Sequence, residues 1–419
     1  MKILKVILFI LCFYFSSMQV FTQSYVLSEN AYISLLTAEP LPGNDIISMF
    51  GHSALRVKDA DLDIDYVFNY GLFDISISQP VALIKLYLGK LEYEMWVSDF
   101  GDYYTTIVSE DRDLIEYVFN FSKEEKEQVL LQLMDKARKE NRNYCFDFFD
   151  ENCTTFLRDL MLRDLNFNIE MPDSTTHHSY RDIAKAYTID HPWVQFLIDL
   201  LAGSHLSDKA DPVRGLFIPH ELEKAWKQSY IIDSDGVKRP LLREGCFLYT
   251  ANLKRQSPPL PVTPLVVGLI VLLVSISLTV IELVKKKHFK YIDVVMLTIT
   301  GIVGVVLFIY TFIFNNWYAI DDFKLLWLNP IHLIAALLLL IAPRSRLLKF
   351  YHILNIVLLS IYLSGVFYIH QDYNIAFFPL VVSLLIRSVS CLIVDCLRCK
   401  GLSQNKCLPK KQQGFEVRD

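Results

Sequence analysis

Positive charge is not in excess in this chain. Its 419 residues carry 41 Lys and Arg against 46 Asp and Glu, a formal net charge of −5, and no basic patch with interleaved aromatics occurs. Nucleic acid is excluded as a partner on that ground, because phosphate binding needs a basic surface. Internal repeats and low-complexity tracts are missing too. Paired metal-binding motifs are also lacking: the one C-x-x-C, Cys396 to Cys399, has no second pair to complete a zinc site. Cys391, Cys396, Cys399 and Cys407 therefore read as reduced thiols, and no metal is expected.

What the chain has in plenty is apolar residues, 53% of the total with a mean hydropathy of +0.30. That is too apolar for an ordinary soluble protein and calls for a membrane part beside a soluble one. The N-terminus places two lysines before an apolar run and then small and polar residues, the order of a secretory signal peptide over 1–23; a retained signal anchor is the alternative. Cys12 lies in the apolar run without a small residue before it, so a lipoprotein signal is not read.

Five spans are expected: 265–284, 291–314, 325–342, 351–370 and 375–394, each near the length that crosses a bilayer. The third is interrupted by Asn329 and Pro330. The connections KKKHFK and PRSRLLK and the tail are basic, whereas NNWYAIDDFK and HQDYN carry a single Lys between them. The positive-inside rule puts the basic segments in the cytoplasm. The signal peptide independently puts the first part of the chain outside, and an odd span count satisfies both. The expected organisation is an extracytoplasmic domain over 24–254, a Pro-rich linker over 255–264, a membrane domain over 265–396 and a cytoplasmic tail over 397–419. Arg387 and Asp395, toward the cytoplasmic end of the last span, are expected to snorkel to the interface or meet a lipid headgroup.

Within the outer domain, YISLLTAE, GHSALRV, IDYVFNYGLFD and LEYEMWVSDF read as strands of a half-buried antiparallel sheet. A helix follows, opened by a capping box of Ser122 with Glu125. A second helix begins in DFFDENCTTFLRDL, where Phe156, Leu157, Leu160 and Met161 form an apolar stripe and Asn152 is the N-cap. Cys153 then occupies the first helical position. Unpaired N–H groups and the positive end of the dipole stabilise a thiolate there, which suits a nucleophile; half of a disulfide and a small core residue are the other readings. Cys145, Cys153 and Cys246 are an odd number in an oxidising compartment, and a Cys145–Cys246 bond is the pairing that spares Cys153.

A cysteine nucleophile needs a base held by a third polar group. His52 in MFGHSALRV, at the start of a strand and flanked by Gly51 and Ser53, is the candidate. His177 and His178 sit in a polar loop, and His191, His205 and His220 lie near turns.

FGHSALRV, YVFNYGLFD, ENCTTFLRDL, SYRDIAKAY and HPWVQFLIDLLAGSHLSDKADPVRGLFIPHELEKAW, in this order before a multi-span domain, resemble the Lnb-type lipoprotein N-acyltransferases of bacteria. The resemblance implies an α+β papain-like thiol fold in permuted order, His strand before Cys helix, followed by an all-α bundle of about five helices in the inner membrane. It implies Cys153 as nucleophile, His52 as base and Asn69 as orienter, although NYG also reads as a turn at a sheet edge. Tyr70, Asn152 and Thr154, beside these, are expected to contact substrate. The implied reaction moves an acyl chain from a phospholipid through a Cys153 thioester to the N-terminal amine of a diacylated lipoprotein, with no metal or organic cofactor. A cell-wall amidase or endopeptidase is the rival, since such thiol folds also cut peptidoglycan peptides. A non-enzymatic receptor or assembly protein is a second.

Overall fold

The computed structural model describes residues 26–40, 48–73, 89–172, 178–233, 235–252, 262–313, 323–365 and 373–406, with positions 77, 78, 81, 85 and 368 besides. The expected signal peptide, residues 255–261 of the linker, 407–419 of the tail and His177 lie outside the described residues.

The strands of the outer domain are β1 (Tyr32–Ala38), β2 (His52–Asp59), β3 (Ile64–Phe73), β4 (Glu92–Asp99), β5 (Leu114–Val118), β6 (Asn143–Cys145), β7 (Ile169–Glu170), β8 (Tyr230–Ile232), β9 (Lys238–Pro240) and β10 (Cys246–Tyr249). Seven form one antiparallel sheet in the order β10-β5-β1-β2-β3-β4-β6, and β7-β8-β9 form a small second sheet. The helices are α1 (Phe100–Ser109), α2 (Lys123–Lys136), α3 (Cys153–Asp159), α4 (Tyr180–Ala186), α5 (Pro192–Leu201) and α6 (Pro219–Trp226). The capping box of Ser122 and Glu125 opens α2, each side chain bonded to the other's backbone N–H.

The central strands are not half-buried. Leu35, Leu55, Phe68 and Tyr70 pack on one face with Val129 and Leu133 of α2, Leu157 of α3 and Trp226 of α6. Leu36, Ala54 and Val67 pack on the other with Tyr103 and Ile107 of α1. Both faces are covered, so β1 and β2 are buried almost throughout. This layering is an α+β domain with a sheet at its centre.

Sheet order also answers the disulfide question. Cys145 is on β6 and Cys246 on β10, at opposite edges of seven strands. Six steps of about 4.8 Å put them on the order of 25 to 30 Å apart, far beyond the roughly 4.4 to 6.8 Å between the Cα atoms of a disulfide. Cys145, Cys153 and Cys246 are all free thiols.

Among the described residues five apolar helices are long enough to cross a bilayer: Pro264–Lys285 (α7), Lys290–Phe312 (α8), Phe323–Ile341, Arg346–Gly365 (α10) and Phe377–Leu397. The third is broken where expected. A 3₁₀ turn over Phe323–Leu326 gives way at Pro330 to α9 (Ile331–Ile341), and the Asn329 side chain accepts the Ile331 N–H at 3.0 Å. The last helix, α11 (Phe377–Lys406), continues into the segment expected as tail.

The outer domain is docked on the bundle and not merely tethered to it. Lys324 Nζ donates to the Ala202 carbonyl at 2.5 Å, Asn374 Nδ2 to Asp199 at 2.9 Å, and Trp193 Nε1 to the Val262 carbonyl at 2.7 Å. Phe196 meets Phe377 edge-on. Arg181, fully buried, holds Asp199 from the other side and donates to the Gly203 carbonyl. Lys324 and Asn374 end the two loops that charge placed outside. Packing and the positive-inside rule therefore agree on orientation.

Arg387 differs from its expectation. It is 3% exposed and does not snorkel; its guanidinium is bonded to Asp293 at 2.6 and 2.9 Å and to Glu282 at 2.8 Å. Two carboxylates on neighbouring helices stabilise the charge inside the bundle, so reaching the interface gains nothing.

Candidate active site

The run DFFDEN builds the start of α3. Asp147 Oδ1 accepts the N–H groups of Phe149 and Asp150, and Arg214 grips Asp150 with two bonds of 2.8 and 2.6 Å. Asn152 then caps the helix: its Oδ1 accepts from the Thr154 and Thr155 N–H groups at 2.8 and 3.0 Å, and its Nδ2 donates to the Phe148 and Phe217 carbonyls. Two of the helix's orphan donors are satisfied. The Cys153 N–H is not among the groups that Asn152 takes.

Helix α3 packs on β2 and β3, which carry the other two candidates. Gly51, at φ +81°, turns the chain into β2; a Cβ there would lie 2.9 Å from the Ala38 carbonyl oxygen, so only glycine fits. His52 follows as the first residue of the strand. Asn69 pairs with Ala54, two residues further on, which makes it the diagonal neighbour of His52 on the same face. His52 Nε2 lies 2.6 Å from Asn69 Oδ1, leaving Nδ1 for the thiol. NYG is not a turn: it lies within β3, where the register shifts between Tyr70 and Leu72, and Gly71 takes up a φ of +128° that other residues rarely adopt, with the His52 ring beside it.

Cys153 and His52 lie close enough for each to act on the charge of the other. Burial alone would push the thiol up. The charge of His52, the hydrogen bond with it, the Ser53 N–H and Thr154 outweigh burial and hold Cys153 at about 7, against about 8.5 for a free thiol. Burial likewise opposes the imidazolium, yet the Cys153 charge and hydrogen bond, with Asn69, raise the pKa of His52 above its ordinary value. Each group stabilises the charged form of the other, which is the activation that a thiol nucleophile requires.

The three residues expected to contact substrate have other occupations. Asn152 is spent on the cap. Thr154 has no exposed surface. Tyr70 is buried in the core, stacked on Phe156 with ring centroids 3.3 Å apart. Each supports the position of Cys153 or His52. Two residues that sequence reasoning did not single out feel the charge of the thiol. The hydroxyls of Tyr103 and Tyr144 are buried with no hydrogen-bond partner, and burial together with the Cys153 charge pushes both phenols up. No spacing rule points to them, because their proximity is made by α1 and by the edge strand β6.

The shared charge of Cys153 and His52 leads to a pH prediction. Alkylation of Cys153 by iodoacetamide should rise with pH through a midpoint near 7. In His52→Ala the midpoint should move up, because the imidazolium that stabilises the thiolate is gone, and labelling at neutral pH should slow. Peptide mass spectrometry reads this out, with the exposed Cys145 and Cys246 as references in the same digest. A midpoint that His52→Ala leaves in place would uncouple thiol from imidazole.

Comparison with known families gives two matches. A model of the Lnb N-terminal periplasmic domain matches residues 18–186, and one of the Lnb transmembrane domain matches residues 255–398. Searches of curated proteins and of solved structures returned no significant match.

Proposed function

Given that the chain belongs to the Lnb family, as a multi-pass inner-membrane protein with a periplasmic domain, we propose that it is a thiol-dependent lipoprotein N-acyltransferase. What supports this reading is the trio of Cys153, His52 and Asn69 on a domain docked against the outer ends of membrane helices. Such a thiol reaches substrates at the outer leaflet, and phospholipids and lipoproteins are substrates of that kind.

In the first half-reaction the Cys153 thiolate attacks an acyl ester carbonyl of the phospholipid. The C–O bond breaks, the His52 imidazolium gives its proton to the departing oxygen, and a lysophospholipid leaves behind a Cys153 thioester. In the second, the α-amine of a diacylglyceryl-cysteine attacks that thioester. His52 takes the amine proton, the C–S bond breaks, and the amide-linked third chain departs as the thiolate is restored. Asn69 holds the imidazole with Nδ1 toward sulfur. The Cys153 N–H at the helix start is the first donor offered to the oxyanion, and the unpartnered Tyr144 hydroxyl is a second.

The test is a reconstituted reaction. Purified protein given phospholipid and a diacylated lipopeptide should release lysophospholipid and form triacylated lipopeptide; with the lipopeptide left out, an acyl mass should accumulate on the Cys153 peptide. Cleavage of peptidoglycan fragments with no lysophospholipid would favour a cell-wall amidase and reject the proposal.

A further inference from the structure

At the end of the bundle away from the periplasmic domain, three helices converge on a polar cluster with no part in the acyl-transfer reading. His288 lies in the basic connection KKKHFK, between Glu282 of α7 and Asp293 of α8, and Cys391 faces them from α11. His288 Nε2 is 2.6 Å from Asp293 Oδ2, 3.0 Å from Cys391 Sγ and 3.9 Å from Glu282 Oε1. Cys391 Sγ is 3.8 Å from the same Asp293 oxygen.

Three features of this arrangement are awkward for hydrogen bonding alone. A single imidazole nitrogen faces both thiol and carboxylate, yet it carries either a proton or a lone pair, and so cannot accept from the thiol while donating to the carboxylate. Glu282 and Asp293 are opposed inside the bundle by one guanidinium, that of Arg387, and by His288 only when its imidazole is protonated; a neutral imidazole leaves one negative charge uncompensated where it is expensive. Finally, His352 of α10, 4% exposed and with both ring nitrogens unpartnered, lines a small cavity together with Asp293, Arg387 and Cys391.

A divalent cation removes all three difficulties. We propose that His288, Asp293 and Cys391 form a zinc-class metal site at the cytoplasmic face of the bundle, with the fourth position open and Glu282 beside it. The imidazole, carboxylate and thiolate lone pairs then point at one centre. Their separations of 2.6, 3.0 and 3.8 Å are to be compared with edges of about 3.3 to 3.8 Å in a tetrahedron with metal–ligand bonds of about 2.0 to 2.3 Å, so His288 and Asp293 part slightly when the ion enters. A mixed sulfur, nitrogen and oxygen set suits zinc better than magnesium or calcium. On binding, the Cys391 thiol gives its proton to solvent, and two carboxylates, one thiolate, one guanidinium and the dication sum to neutrality. The orphan imidazole of His352, across the cavity, is placed to hold a water or a ligand from the outer shell. Such a site clamps the connection between α7 and α8 to α11.

Metal content and cobalt substitution test this on the full-length protein in detergent. Wild-type protein should purify with stoichiometric zinc, and cobalt-loaded protein should show a thiolate-to-cobalt charge-transfer band. Cys391→Ser should lose the band and His288→Ala most of the metal, while Cys396→Ser, about a turn and a half nearer the exposed end of α11, should keep both. The spectrum of the wild type needs no variant to fold, so a cobalt-loaded wild type without a thiolate band overturns the proposal. So does zinc retained at the wild-type level in Cys391→Ser.

Discussion

Cys153→Ser protein should make no triacylated lipopeptide above background, a loss on the order of 10⁴-fold or more, as when a nucleophile is removed from a unit of cooperating groups. A serine hydroxyl would inherit the same helix start, the same Asn152 cap and the same Ser53 N–H. It would not inherit the ionisation. The pair works because a thiol held at about 7 exchanges its proton with an imidazole whose charged form it stabilises in turn, and a hydroxyl is far too weak an acid to do so at neutral pH. The acyl mass on the residue 153 peptide should vanish with the activity. Peptide masses of lipoprotein N-termini, from cells carrying either form as the sole copy, measure the same effect in vivo. Triacylated product at the wild-type rate would sink the mechanism.

His52→Ala should cost about 10²- to 10⁴-fold in rate, the usual worth of general acid–base help. Both half-reactions pass a proton through His52, so neither escapes. A pH profile separates this from a merely structural defect: the variant's remaining activity should climb into the alkaline range, where Cys153 ionises without help, whereas a folding defect would lower activity at every pH alike. Asn69→Ala should do less damage, since it leaves the imidazole in place and frees only its orientation. An Asn69→Ala protein as slow as His52→Ala, with an unchanged pH profile, would count against the orienting role. Wild-type activity in His52→Ala would remove the base.

The docking of the outer domain also weighs on the choice of substrate. A free tether would let the thiol roam toward the cell wall. Lys324 and Asn374 instead bind Ala202 and Asp199, and this holds the domain to the bundle. The acyltransferase reading uses that constraint and the cell-wall reading has no use for it.

Local chemistry was legible in the sequence. The strands around His52 and Asn69, the capping box at Ser122, the helix start at Cys153 and the five spans follow from periodicity, caps and hydropathy, which act over a few neighbouring residues and are written in their order. The break of the third span at Asn329 and Pro330 belongs to the same class. What depended on long-range packing was not legible. Whether Cys145 could meet Cys246 was decided by sheet order, which puts five strands between them. Asn152, Thr154 and Tyr70 looked available to substrate because sequence shows that a polar or aromatic side chain is present, not that a cap or a core has already taken it. Tyr103 and Tyr144 feel the charge of the thiol from a helix and an edge strand that no spacing links to it. Arg387 was expected to seek water because its partners, Asp293 and Glu282, come from other helices. For the same reason Cys391, about a hundred residues from His288 and Asp293 in sequence, forms no motif with them until the bundle folds.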